Sequence, residues 1–124
     1  MKILVADDSR IIRTLIKKIL EPYENYEIIE ASDGVETLKK IKQVPGIGLV
    51  LMDYNMPNMN GLITLSEIRK RKASQFLPVI MITSEGGSKF VVKTIKLGAN
   101  DFIVKPIDAV TLVRKIENIL SKDK

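Results

Sequence analysis

The sequence predicts one α/β domain in which helices cover both faces of a parallel sheet. Two patterns carry this prediction. Short, unbroken apolar runs recur along the chain, and each is followed by a segment in which apolar residues return every three or four positions. The first pattern is typical of strands buried on both faces, and the second of amphipathic helices. Because βαβ crossovers are right-handed, strict alternation favours a doubly wound (βα)5 sheet.

Five apolar runs are the predicted strands. In chain order they cover residues 3–6, 27–30, 49–52, 79–82 and 102–104. The second run is short and flanked by charge, which is typical of an edge strand. The other four end at polar residues, which are Asp7, Asp53, Thr83 and Lys105.

Five segments with helical spacing lie between and after these strands. Ser9 precedes the first of them and is a suitable N-cap residue. The apolar positions of the predicted helices are, in turn, Ile12, Leu15, Ile16 and Ile19; Val35, Leu38 and Ile41; Leu62, Leu65 and Ile68; Val91, Val92 and Ile95; and Val110, Val113, Ile116 and Leu120.

Composition bounds both the number of domains and the chemistry. A chain of 124 residues with 45% apolar side chains supports one core, so we expect a single domain over residues 1–124. The chain has no cysteine and no histidine, which excludes disulfides, thiol catalysis, cysteine or histidine zinc sites and serine–histidine mechanisms. The available chemistry therefore rests on carboxylates, hydroxyls and lysines.

The net charge of +5 is spread over the chain among acidic residues. With few aromatic residues to stack on bases, this pattern favours a solvated basic surface, or an acidic protein partner, over direct nucleic-acid binding. The apolar run at the N-terminus is too short for a signal peptide, and no other run approaches a membrane span. We expect a cytoplasmic protein without membrane contact.

The polar residues at the strand ends form the candidate site. In open α/β sheets, ligands bind outside the carboxyl ends of the strands where the strand order reverses. If the order is 2-1-3-4-5, which is taken from the flavodoxin-like fold, Asp7, Asp8 and Asp53 meet there. Carboxylates ~5 Å apart at an effective dielectric of ~20 repel by about 3 kcal/mol per pair, which favours a bound cation such as Mg²⁺. Lys105 and the Thr83 hydroxyl would hold a transferring phosphoryl group. Alternatively, an aspartate such as Asp8 merely caps the next helix.

Beyond these residues, the chain resembles the receiver domains of two-component response regulators, especially stand-alone chemotaxis regulators of the CheY type. The likeness covers nearly the whole chain. It rests on Asp7-Asp8, on the segment 52–61 (MDYNMPNMNG), on Thr83-Ser84 and on the segment 98–106 (GANDFIVKP). The resemblance implies a protein that catalyses only its own phosphorylation and dephosphorylation, and not a conventional enzyme.

The resemblance also implies roles for individual residues. Asp53 would be the phosphoacceptor, with Asp7, Asp8, Asp53 and the backbone carbonyl of Asn55 around Mg²⁺. The Lys105 side chain would contact the phosphoryl group. The peptide bond between Lys105 and Pro106 would be cis. Thr83 and Phe102 would form the switch. Asn55 and Glu85 would tune dephosphorylation, and this pair of residue types is similar to regulators with short-lived phosphorylation.

A histidine kinase is the implied phosphoryl donor, and the implied output is a changed protein-binding surface. That surface would carry Lys89, Lys93, Lys96, Phe102, Arg114 and Lys115, and its charge suits an acidic peptide, for example of a flagellar motor switch protein. A monomer is expected before phosphorylation. Three alternatives remain at this point: the receiver part of a DNA-binding regulator, an aspartyl-phosphate phosphatase of small substrates, and a flavodoxin-like carrier.

Overall fold

The computed structural model describes residues 1–84 and 86–122, and strands alternate with helices throughout this part. The strands are β1 (Lys2–Ala6), β2 (Glu27–Ala31), β3 (Ile47–Asp53), β4 (Val79–Thr83) and β5 (Asp101–Val104). The helices are α1 (Arg10–Leu20), α2 (Gly34–Gln43), α3 (Gly61–Lys70), α4 (Ser88–Lys96) and α5 (Ala109–Lys122). Every strand pair is parallel, and the order is β2-β1-β3-β4-β5. The predicted fold class and strand order are confirmed.

Successive strand residues point to opposite faces of the sheet, which therefore has an apolar layer on each side. Helices α1 and α5 close one layer, which includes Val5, Ile16, Leu20, Leu51, Ile82, Leu112 and Ile116. Helices α2 and α3 contribute to the other layer, which includes Leu4, Leu38, Val50, Met52, Leu65, Ile68 and Met81. The central strands β1, β3 and β4 are buried on both faces, as their unbroken apolar runs predict.

The helix N-termini differ in how they are capped. The Ser9 hydroxyl accepts a hydrogen bond from the Ile12 N–H (3.3 Å), which confirms the predicted cap of α1. In the same way, Asp33, Asn60 and Asp108 accept N–H bonds at the starts of α2, α3 and α5. The N-cap of α4 is Gly87, which has no side chain to accept such a bond. Helix α4 therefore lacks a stabilising contact that the neighbouring helices have.

The predicted apolar face is correct for α3, where Leu62, Leu65 and Ile68 are buried. In α4, which the spacing of Val91, Val92 and Ile95 predicts, Val92 and Ile95 are 50% and 44% exposed. Helix α4 packs beside the edge strand β5, so the sheet covers little of its apolar stripe. The predicted positions Leu15, Val35 and Val110 are also exposed. Among the described residues, no helix is long and apolar enough to cross a bilayer.

Candidate functional site

Three carboxylates meet at the carboxyl ends of β1 and β3. Asp7 and Asp8 directly follow β1, and Asp53 is the last residue of β3. One carboxylate oxygen from each lies within 4.8 Å of the other two. Asp7 and Asp53 are only 1% and 4% exposed, whereas Asp8 faces solvent. The structure thus brings together the three acidic residues that the sequence selects, in a pocket that is open on the Asp8 side.

Lys105 supplies a positive charge to this pocket from the end of β5. Its Nζ atom lies 3.1 Å from Asp53 Oδ1 and 3.5 Å from Asp7 Oδ2. The backbone N–H of Lys105 donates to the Thr83 carbonyl (2.7 Å), which ties the loop after β5 to the end of β4. The Lys105–Pro106 peptide bond is cis, as the resemblance implies. One lysine therefore bridges two buried carboxylates that come from different strands.

Hydrogen bonds from the backbone and from Arg13 hold Asp7 in place. Its N–H donates to the Ala31 carbonyl (3.0 Å), and its Oδ1 accepts from the Ser9 N–H (2.8 Å). The Asp7 carbonyl accepts from Arg13 Nη1 (2.6 Å), and Arg13 Nε donates to Glu30 Oε1 (3.0 Å). Sequence reasoning missed Arg13. The signal that could have found it is a cation in the first part of α1, about one turn beyond the Ser9 cap.

Burial and mutual repulsion make the pocket costly to ionise. Burial, followed by the negative charge of Asp7, raises the pKa of Asp53 above its usual value. Burial also raises the pKa of Asp7, and its bond from the Ser9 N–H only partly opposes this change. Burial alone would lower the pKa of Lys105, but its bond to Asp53 and the two nearby carboxylates outweigh burial and raise it. The pocket therefore favours a further positive charge beside its carboxylates.

The other predicted site residues occupy different positions around this pocket. Thr83 is the last residue of β4 and is fully buried, while Asn55 is exposed in the loop after Asp53. Phe102 is partly buried in β5, and the Lys115 ammonium lies 4.6 Å from the centre of its ring. Glu85 lies outside the described residues. The roles of these side chains in switching and dephosphorylation stay predictions.

The loop after Asp53 folds tightly against the strand end. The Gly61 N–H donates to the Tyr54 carbonyl (2.7 Å), so the segment between them turns back on itself. A Cβ at Gly61 would collide with the Asp53 carbonyl oxygen and would lie 2.9 Å from Tyr54 Cα. Met56 is 8% exposed and packs this loop onto the core. Glycine at position 61 is therefore required by close packing against the residue that carries the central carboxylate.

The predicted basic surface is present only in part. Lys89, Lys93 and Lys96 are exposed on α4, and Arg114 is exposed on α5. Lys115, by contrast, donates to Asp101 Oδ1 (3.0 Å) and to the Phe102 carbonyl (2.6 Å). Its charge is already engaged within the chain, so it contributes less to an outer basic surface than its position in the sequence suggests.

The chain is similar to known proteins over most of its length. A family model described as the response regulator receiver domain matches residues 3–117. The chain belongs to this family. Receivers are signalling proteins whose acidic pocket binds Mg²⁺, and the carboxylate cluster described above is compatible with that ion. The receiver is therefore a protein of two-component signalling.

Similar relatives include the chemotaxis protein CheY homolog of Campylobacter jejuni and CheY1 of Helicobacter pylori. Each is 38% identical over 120 residues, which cover 97% of this chain and 92% and 97% of the respective relatives. Among solved structures, CheY4 of Vibrio cholerae has a TM-score of 0.87 at 30% identity and covers 95% of this receiver and 97% of its own chain. A CheX–CheY–BeF3–Mg complex from Borrelia burgdorferi matches with a TM-score of 0.87 and 31% identity, over 97% of this receiver and 89% of that chain.

Proposed function

We propose that this receiver accepts a phosphoryl group on Asp53, with Mg²⁺ in the acidic pocket, and that the modification changes a surface that binds another protein. The main support for this proposal is the position of Asp53. Its carboxylate is buried at the end of β3, 3.1 Å from Lys105 Nζ and within 4.8 Å of the carboxylates of Asp7 and Asp8. Asp53 is thus a buried nucleophile with the Lys105 ammonium on one side and, on the other, carboxylates that a cation would neutralise.

The chemistry follows from these positions. A carboxylate oxygen of Asp53 attacks the phosphorus of the donor, and an O–P bond forms. The bond from phosphorus to the donor nitrogen breaks, and its electron pair leaves with the donor. Lys105 offsets the charge of the phosphoryl oxygens, and Thr83 supplies a hydroxyl donor. Because the chain contains no histidine, the phosphohistidine must belong to another protein, which we take to be a histidine kinase.

Asp7, Asp8 and Asp53 would hold Mg²⁺, with the backbone carbonyl of Asn55 as a further oxygen ligand. The fit is supported by the donor set, because clustered carboxylate oxygens are suitable ligands for a hard divalent cation. The ion would neutralise the carboxylates and the incoming phosphoryl charge. The related Borrelia complex holds Mg²⁺ together with BeF3.

The proposed output is binding through α4, β5 and α5. Thr83 and Phe102 act as the switch, and the exposed cations Lys89, Lys93 and Lys96 favour an acidic peptide as the partner. Because the related proteins are chemotaxis regulators, a flagellar motor switch protein is the proposed partner. Asn55 and Glu85 are proposed to permit rapid self-dephosphorylation. A phosphoryl lifetime of hours in the purified protein with Mg²⁺ would contradict that last role.

Incubation with acetyl phosphate tests the central proposal. We expect the intact mass of the native chain to rise by about one phosphoryl group (~80 Da) only when Mg²⁺ is present, and we expect no gain in Asp53→Asn. Mg²⁺ alone should raise the thermal stability of the native chain and have less effect on Asp53→Asn, since binding to the folded state stabilises it. A gain of equal size in Asp53→Asn would place the modification elsewhere.

A further inference from the structure

An aromatic contact joins the strand end that carries Asp53 to helix α4. The rings of Tyr54 and Phe90 meet edge to face, with centroids 4.7 Å apart and ring planes at 84°. Tyr54 is the residue after Asp53, and Phe90 lies in the first turn of α4. The contact therefore spans the distance between the proposed phosphorylation site and the proposed output helix.

The strand side of this contact is firmly held. The Tyr54 N–H donates to the Ile82 carbonyl (2.9 Å), and the Tyr54 carbonyl accepts from the Gly61 N–H (2.7 Å). Both bonds fix the backbone of Tyr54 against β4 and against the start of α3. The position of its ring therefore depends on the geometry of the loop that follows Asp53.

The helix side is held weakly. Helix α4 begins after Gly86-Gly87 and has no side-chain cap. Its buried residue, Thr94, bonds through its hydroxyl to the Phe90 carbonyl (2.9 Å) within the same helix. Val92 and Ile95 are 50% and 44% exposed, so they contribute little to packing α4 against the rest of the domain. A helix with so few fixed points responds to the loss or movement of any one of them.

We propose that the Tyr54–Phe90 contact couples the state of Asp53 to the position of α4. It holds the first turn of α4 in the unphosphorylated protein, and a shift of the loop after Asp53 on phosphorylation releases or redirects it. This inference rests on the proposed function, because it takes Asp53 as the phosphoacceptor and α4 as part of the output surface. A contact transmits a signal only when it differs between the two states, and this one joins the two regions that must differ.

Hydrogen exchange of the amides of α4, read by mass spectrometry, tests the coupling in the full chain. Phe90→Leu and Tyr54→Leu each remove one ring, and Ile95→Leu is the matched control, with the same new residue at an exposed position of the same helix. Tyr54→Phe keeps the ring and serves as the control on the strand side. Exchange of β1 and β3 in every variant reports whether the rest of the fold is unchanged.

Before phosphorylation, we expect α4 to exchange about two- to tenfold faster in Phe90→Leu and in Tyr54→Leu than in the native chain. The double variant should show no further increase, and both controls should match the native chain. After acetyl phosphate and Mg²⁺, the native chain should change its α4 exchange, whereas Phe90→Leu should show a much smaller change at an equal gain in mass.

The coupling is overturned if α4 exchanges alike in Phe90→Leu and Ile95→Leu before phosphorylation. It is also overturned if phosphorylation changes α4 as much in Phe90→Leu as in the native chain. A native chain that gains no phosphoryl mass would refute the proposed function instead. The comparison of unphosphorylated variants would still decide whether the two rings hold α4.

Discussion

The acidic pocket and helix α4 lie near each other in this receiver, yet they are held very differently. The pocket is built on buried strand ends, where backbone hydrogen bonds and the Lys105 ion pairs fix Asp7 and Asp53. Helix α4 has a glycine N-cap and leaves Val92 and Ile95 exposed. The proposed site for group transfer needs fixed geometry, whereas the proposed switch surface needs more than one accessible position. The difference predicts that substitutions in the pocket affect chemistry and stability, while those in α4 affect mobility.

The largest expected effect on the chemistry comes from Lys105→Met. Because Lys105 Nζ lies 3.1 Å from Asp53 Oδ1, its loss removes a positive charge beside the proposed phosphoryl position. We expect phosphorylation by acetyl phosphate to slow by about 10²-fold, which corresponds to about 3 kcal/mol in the barrier. Time-resolved intact mass measures the rate, and Lys18→Met, at an exposed position of α1, is the control. A native rate in Lys105→Met would show that the pocket does not use this charge.

Gly61→Ala should break the pocket by collision. Its Cβ would meet the Asp53 carbonyl oxygen and would approach Met81 Cε to 2.8 Å. We expect the free energy of unfolding to fall by about 2 to 4 kcal/mol, measured by urea denaturation. Gly87→Ala is the matched control, because nothing lies within 4 Å of a Cβ built at Gly87. If both variants lose the same stability, the close packing around Asp53 is less strict than described.

The ionisation of the pocket predicts a dependence of stability on pH without Mg²⁺. The pKa values of Asp7 and Asp53 are raised above 3.8 in the folded chain, so the folded state holds these protons more tightly than the unfolded state. Stability from this source is therefore greatest at low pH and is lost as pH rises above 3.8 through the raised pKa values.

Asp7→Asn isolates this effect and keeps an oxygen acceptor for the Ser9 N–H. At pH 7 without Mg²⁺, we expect the variant to be more stable than the native chain by roughly 1 to 2 kcal/mol, with the advantage shrinking toward acid pH. Carboxylates with lowered pKa values, such as Asp33 and Asp108, make stability fall toward acid pH. This effect is the same in the native chain and in the variant, so it cancels in the difference between their stabilities. Thermal unfolding over a series of pH values measures the difference. If the extra stability of Asp7→Asn instead grew toward acid pH, burial would not be what disfavours the charged form of Asp7.

The smallest expected effect concerns the start of α4. Gly87 has an extended backbone (φ −64°, ψ 145°) similar to that of the capping residue Asn60 (φ −71°, ψ 168°). Gly87→Asn should therefore add a side-chain cap and stabilise α4 by a few tenths of a kcal/mol. We expect slower hydrogen exchange in α4 with almost no change in the phosphorylation rate. Faster exchange in this variant would show that the missing cap is not what loosens the helix.

Features that depend on local patterns could be predicted from the sequence. Unbroken apolar runs identify the strands that are buried on both faces, and Ser9 identifies the N-cap of α1. Because Asp7, Asp53 and Lys105 lie at the ends of predicted strands, the sequence also predicts that they meet. These inferences succeed because the carboxyl ends of parallel strands must share one edge of the sheet. The strand order itself was taken from the fold that the sequence resembles.

Which side of each helix is covered, and which distant groups pair, depends on how the elements pack together. An apolar stripe has the same spacing whether it packs on a sheet or faces solvent, so the spacing of Val92 and Ile95 predicts the helix but not their exposure. Three contacts depend on how separate elements come together. They are the hydrogen bond from Arg13 to the Asp7 carbonyl, the ion pair of Lys115 with Asp101, and the ring contact of Tyr54 with Phe90. The spacing of residues along the chain does not predict these contacts, because they depend on packing across the whole domain.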